Sequence, residues 1–140
     1  MDSIIAKLEN LYRKTPSLPS SAREALVGIV PWLALIGGVI LVWMAIIDLT
    51  SSPFVAILAG QVLAYLMLTA VLNLASGIFL LAAFSPLRKR SRRGWKLLFF
   101  VQMIFLLGAL LSLNMGTIVF NLVFVAILLY PLFQMKPYYK

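Results

Sequence analysis

Four long apolar stretches, at about 26–48, 54–84, 95–113 and 117–133, decide what this chain can fold into. Each reaches the roughly 17–25 residues that a helix needs to cross about 30 Å of hydrocarbon. With 63% of its 140 residues hydrophobic, the chain carries more apolar surface than a water-soluble domain of this length can bury. A bilayer then serves as solvent, and there every backbone N–H and C=O has to be bonded within its own segment. The fold class that follows is an all-α integral membrane protein. Four transmembrane helices are arranged as two antiparallel hairpins, and an N-terminal amphipathic interfacial helix precedes them. Residues 1–20 read as a cytoplasmic arm and linker, 21–135 as the transmembrane domain and 136–140 as a cytoplasmic tail.

The twelve Lys and Arg gather in three places: the N-terminal arm, the tail, and the link between the second and third stretches. The other two links carry none. Lys and Arg flanking membrane spans are retained on the cytoplasmic side. The pattern places both termini and the middle link there, in a plasma (inner) membrane crossed several times. The formal net charge is +8. Because the cations flank spans, anionic lipid rather than nucleic acid is the partner class they point to.

Along residues 2–14, Ile4, Ile5, Leu8, Leu11 and Tyr12 fall on one side at helical spacing, with Lys7, Glu9, Asn10, Arg13 and Lys14 on the others. This predicts a helix lying in the cytoplasmic interface with Leu8 and Tyr12 toward lipid. Pro16 and Pro19 break it. Ser21 and Glu24 stand at the spacing of a capping box and open the first span. Asp48 ends that span, Leu49–Ser52 turns the chain, and Pro53 starts the next helix. The second stretch, 54–84, is about 31 residues or roughly 46 Å, too long for the hydrocarbon at ordinary tilts. It is expected to protrude or to bend near Gly60-Gln61. Ser85-Pro86 stops it, and Asn114-Met115-Gly116 is a tight turn between the last two helices.

Little chemistry is available. There is no Cys and no His, and the acidic residues are Asp2, Glu9, Glu24 and Asp48. Thiolate and imidazole metal sites and the commonest general base are thereby removed. No carboxylate, Lys or Arg lies between Ile29 and Ile47, or near the middle of any other stretch, where proton-coupled transporters keep an ionisable group. The chain is read as not an enzyme, with no cofactor and no metal.

Two sets of residues remain as candidates. The middle link, with Arg88, Lys89, Arg90, Arg92, Arg93 and Lys96, serves as an orienting signal and as a contact for lipid headgroups. Gln61, Thr69, Asn73, Gln102 and Asn121 are intramembrane polar contacts. Thr69, Asn73 and Gly77 share one helix face at i, i+4 and i+8. Such residues either bond helix to helix or line a narrow path. Small residues at four-residue spacing, Ala34 and Gly38, Ala56, Gly60 and Ala64, let helix backbones approach. The function expected is that of a non-catalytic scaffold, assembly factor or accessory subunit of a membrane complex, with a protein partner or a homo-oligomer. The alternative is a small oligomeric channel or uniporter for a neutral or weakly charged solute.

The charge pattern makes one direct prediction. Ser91→Cys, on a chain without natural cysteine, should resist an impermeant maleimide in intact cells and label once the membrane is opened. Labelling in intact cells reverses the orientation.

Overall fold

The computed structural model describes residues 2–12, 14, 16–59, 63–112 and 114–140. Among them the chain is all-helical. The helices are α1 (Asp2–Tyr12), α2 (Ser20–Ala59), α3 (Leu63–Arg88), α4 (Arg92–Leu111) and α5 (Met115–Met135), and a 3₁₀ turn follows at Lys136–Tyr138. Four of these helices are long and apolar enough to cross a membrane, the composition of a multi-pass transmembrane protein.

Successive long helices pack antiparallel. Gly38 and Gly77 bring α2 and α3 together: a Cβ on Gly77 would stand 2.9 Å from the Val42 nitrogen and 3.0 Å from the Gly38 carbonyl oxygen. Gly37 faces Leu80 and Trp32 meets Phe84 edge-on at 5.5 Å, so the register runs in opposite directions along the pair. Gly108 of α4 faces Leu72 of α3, and Trp95 of α4 reaches Leu132 of α5. The buried core lies toward the basic end of the bundle. Trp95, Phe99 and Phe133 pack as neighbouring rings there, with Leu87, Val125 and Leu129 around them. Ile29, Trp32, Ile36, Val39 and Trp43 form an exposed apolar stripe along α2.

The basic link closes in few residues. Arg90 takes a left-handed φ of 51°. Its N–H donates to the Leu87 carbonyl at 3.0 Å, and the Ser91 N–H donates to the Pro86 carbonyl at 2.8 Å. This is the double bond pattern that satisfies the last carbonyls of a helix, with Arg90 where glycine is usual. Gly94 then lies against the link: a Cβ there would come within 2.7 Å of the Leu87 nitrogen. Ser91 caps α4 and Asn114 caps α5, the latter accepting from the Thr117 N–H at 3.1 Å.

Several boundaries differ from the sequence expectation. The turn at 49–52 does not occur. α2 runs through it to Ala59, and residues 54–59 belong to the first long helix, not the second. The Thr50 hydroxyl donates to the Ile46 and Ile47 carbonyls and the Ser51 hydroxyl to Ile47, so the polar run supports the helix that it was expected to end. Pro53 removes one N–H without breaking the helix. The expected bend at Gly60-Gln61 lies outside the described residues. Likewise α3 passes Ser85-Pro86 and ends at Arg88. α2 starts at Ser20, and Glu24 faces Arg90 at 3.9 Å across the basic end. At 40 residues α2 is about 60 Å long, twice α4. Its last turns carry Phe54, Ile57 and Leu58 exposed.

α1 also departs from its expected place. Leu8 and Tyr12 face protein, not lipid. Ile5 is buried, and Leu8 and Tyr12 pack on the core. The Tyr12 ring stacks on Phe133 at 5.3 Å and its hydroxyl donates to the Ala126 carbonyl at 3.0 Å. Glu9 is bonded to Lys136, and the Tyr130 hydroxyl donates to the Pro16 carbonyl at 2.5 Å. The apolar face of α1 has found α5, and a complementary ion pair holds the register.

The glycine contacts predict an order of stability. Gly77→Ala and Gly94→Ala push a methyl into backbone and should each cost about 1–3 kcal/mol. Gly28→Ala meets nothing within 4 Å and should be neutral or stabilising. Unfolding in increasing dodecyl sulfate measures all three. Equal behaviour of Gly77→Ala and Gly28→Ala would contradict the close approach.

Candidate functional site

The six cations of the middle link do not form one patch. Arg88, at the end of α3, lies over two rings, 5.8 Å from the Trp32 centroid and 5.7 Å from Phe84. This geometry fixes a guanidinium beside an apolar surface. Arg90 turns the chain and faces Glu24. Lys89 and Arg93 are exposed. Arg92 and Lys96 lie on the first turns of α4, beside α1 and the C-terminal segment. There the Arg92 N–H donates to the Lys140 carbonyl and the Lys140 N–H to the Arg90 carbonyl, both at 3.0 Å.

At the charge-poor end, Thr69, Asn73 and Asn121 come together. With Tyr65, Ser76 and Thr117 they line a cleft of about 180 Å³ between α3, α4 and α5. The i, i+4 spacing of Thr69 and Asn73 put them on one face. The opposing α5 residues complete the cleft because Gly108 and Ala109 leave room between the helices. The Thr69 and Ser76 hydroxyls and the Asn121 amide donate within their own helices. Thr69 bonds the Leu66 carbonyl, Ser76 that of Leu72 and Asn121 that of Thr117, at 2.8–2.9 Å. Among these residues, then, the bonds run along helices rather than across them. The interhelical side-chain bond in the core comes from Trp95, whose indole N–H donates to the Leu132 carbonyl at 2.7 Å.

Gln102 goes elsewhere. It lines a larger, mostly apolar and partly open hollow of about 540 Å³ between α2, α3, α4 and α5, among Leu26, Leu98 and Leu132. Its Oε1 is buried with no hydrogen-bond partner. Gln61 lies outside the described residues.

Among the described residues no group of three or more Asp or Glu side chains could hold a metal ion. The polar cleft is lined by hydroxyls and amides. Compared with known proteins, the chain matches no family model, no curated protein and no solved structure.

Two features of the basic end escape a reading of the sequence. Trp95 follows a run of cations and opens the third apolar stretch, yet it is 2% exposed. Its spacing to Phe99 and Gln102 is the signal that it faces inward. Lys136 reads as one more tail cation. Pairing it with Glu9 requires knowing that α1 folds back on α5.

Trp95→Phe keeps the ring packing and removes the bond to Leu132. It should lower stability by about 0.5–1.5 kcal/mol, read from the same dodecyl sulfate unfolding. No change would mean that the indole bond contributes nothing.

Proposed function

We propose that the chain is inserted in a plasma (inner) membrane by four crossings. Both termini and the basic link face the cytoplasm, with anionic lipid at that surface. There it acts as a non-catalytic scaffold, assembly factor or accessory subunit of a membrane complex. One observation carries the choice against transport. Toward the basic end from the cleft of Thr69, Asn73 and Asn121, the core is filled by the buried rings of Phe99, Trp95 and Phe133. Those rings offer a solute only an indole N–H already committed to Leu132, and the Gln102 amide nearby stands in a mostly apolar cavity. A partner role gains support from Phe54, Ile57 and Leu58. They stand exposed on the last turns of α2, and an exposed apolar surface marks a contact site.

The competing reading is an oligomeric channel or uniporter that uses the same cleft. Asn73→Leu separates the two. For a scaffold, the variant in liposomes should match the parent chain in solute flux, with any cellular effect following protein abundance. Selective flux through the parent chain, lost in Asn73→Leu at equal protein content, would move the channel to first place.

A further inference from the structure

The polar cleft and the apolar hollow are two parts of one lining, with Phe105 of α4 walling both. On α3, Tyr65, Thr69, Asn73 and Ser76 line the cleft, and Leu80, one turn further, lines the hollow. On α5, Thr117 and Asn121 line the cleft, and Phe124, Leu128 and Leu132 continue into the hollow. Spacings of three and four keep each series on one helix face. On both helices that face passes from polar to apolar toward the basic end. From Thr117 to Leu132 it is about 22 Å long, room for a small head and the roughly 15 Å of one leaflet's hydrocarbon. The hollow is partly open. Leu33 and Ile40 of α2 and Phe124 of α5, which line it, are exposed, so a lipid chain has access from the side.

The polar part selects the head. Neither section is lined by a charged side chain, so a charged head would lose its hydration without gaining a partner. The Thr69 and Ser76 hydroxyls and the Asn121 Nδ2 donate to carbonyls of their own helices. What they have left for a ligand is acceptor capacity on their oxygens. None of these bonds reaches the Asn73 amide, which lines the cleft and adds two donors and an acceptor. A hydroxyl head both donates and accepts, whereas an ionised carboxylate only accepts. Gln102 is the polar exception in the hollow, but its Oε1 is buried, so the head contacts lie in the cleft.

We propose that this lining is a binding site for one uncharged lipid with a hydroxyl head, the chemistry of an acylglycerol, with its hydroxyls in the cleft and an acyl chain in the hollow. The site rests on the chain being inserted in a bilayer. The head lies at the charge-poor end and the chain points toward the basic end, the attitude of a lipid in the outer leaflet under the proposed orientation. The change of lining that denies a polar solute a path is what an amphiphile requires. Such a lipid would be a fixed component of the bundle, filling the space where α2 and α5 leave it open.

The test places the full chain in phosphatidylcholine nanodiscs and offers 1-oleoylglycerol in one arm and oleate in the other. Native mass spectrometry reads the lipid retained when the chain leaves the disc. One 1-oleoylglycerol per chain is expected, with oleate held roughly tenfold less because its charge has no partner in the cleft. Thr69→Val keeps the side-chain shape, and Asn73→Leu removes the amide. Each should lower retention about three- to tenfold, the value of one hydrogen bond. Val30→Phe narrows the hollow and should lower it about tenfold. Val39→Phe, exposed on α2 outside the hollow, should leave it within about twofold. Dodecyl sulfate unfolding checks that each variant is folded, and Thr69→Val carries the test if Val30→Phe is not. Equal losses in Val30→Phe and Val39→Phe would overturn the site, because only lipid around the outside behaves that way. So would equal retention of oleate and 1-oleoylglycerol with no effect of Thr69→Val or Asn73→Leu. A chain that retains no lipid and leaves the disc as a dimer gives the hollow to a second copy and also overturns it. No retention, with Ser91→Cys labelling still placing the link inside, overturns the site and leaves the membrane orientation standing. Reversed labelling with retention intact does the opposite, since binding in a disc does not depend on which side is cytoplasmic.

Discussion

The contact between the backbones of Gly38 and Gly77 is what the rest of this bundle is built around. Helices bearing larger side chains sit 8–10 Å apart. Two glycines facing each other let α2 and α3 come close enough that a single added methyl would meet backbone atoms. Lipid tails are as apolar as leucine, so burial of apolar surface gives little drive for helices to meet there, and close packing becomes the main source of attraction. The α2–α3 pair then presents a fixed surface. α4 attaches to it with Gly108 against Leu72, and Gly94 seats the start of α4 on the turn that ends α3. α5 follows through the buried indole of Trp95, and α1 comes last, against α5.

This order explains the uneven distribution of polar bonding. Where glycine permits contact, hydroxyls are free to bond back to their own helices, as those of Thr69 and Ser76 do. Where α4 and α5 meet with large rings between them, a cross-helix bond from Trp95 appears. Between α2 and α5 the contact is slighter, and the apolar cavity with the unpartnered Gln102 oxygen lies there. The basic end is the most tightly tied part of the molecule. It is held by the Arg90 turn, the backbone pairing of Arg90 and Arg92 with Lys140, and the Glu9–Lys136 pair.

Much of this was legible in the sequence, and the failures have physical causes. Four long apolar helices follow from hydropathy and length alone. The shared face of Thr69 and Asn73 follows from helical spacing. The end of the first long helix did not, because Thr and Ser satisfy carbonyls equally well inside a helix and beyond its end. Thr50 and Ser51 do the former. Pro53 was read as a start signal, although proline marks a first turn and tolerates a helix interior in apolar surroundings. The packing of α1 was hidden for another reason. Its apolar face suits lipid and protein alike, and the choice rests on Glu9 meeting Lys136 across 127 positions of chain. No local pattern encodes that pairing.

The length of α2 gives the two ends of the molecule different physics. At the basic end, anything that approaches meets cations, and salt weakens the encounter within a Debye length of about 10 Å at 0.1 M. At the other end, beyond Asp48, Ile57 and Leu58 are 82% and 85% exposed. Association there draws on apolar contact, which sulfate and similar salts strengthen. Ionic strength thus acts on this chain as a selector. Raising it releases what is held at one end while tightening what is held at the other.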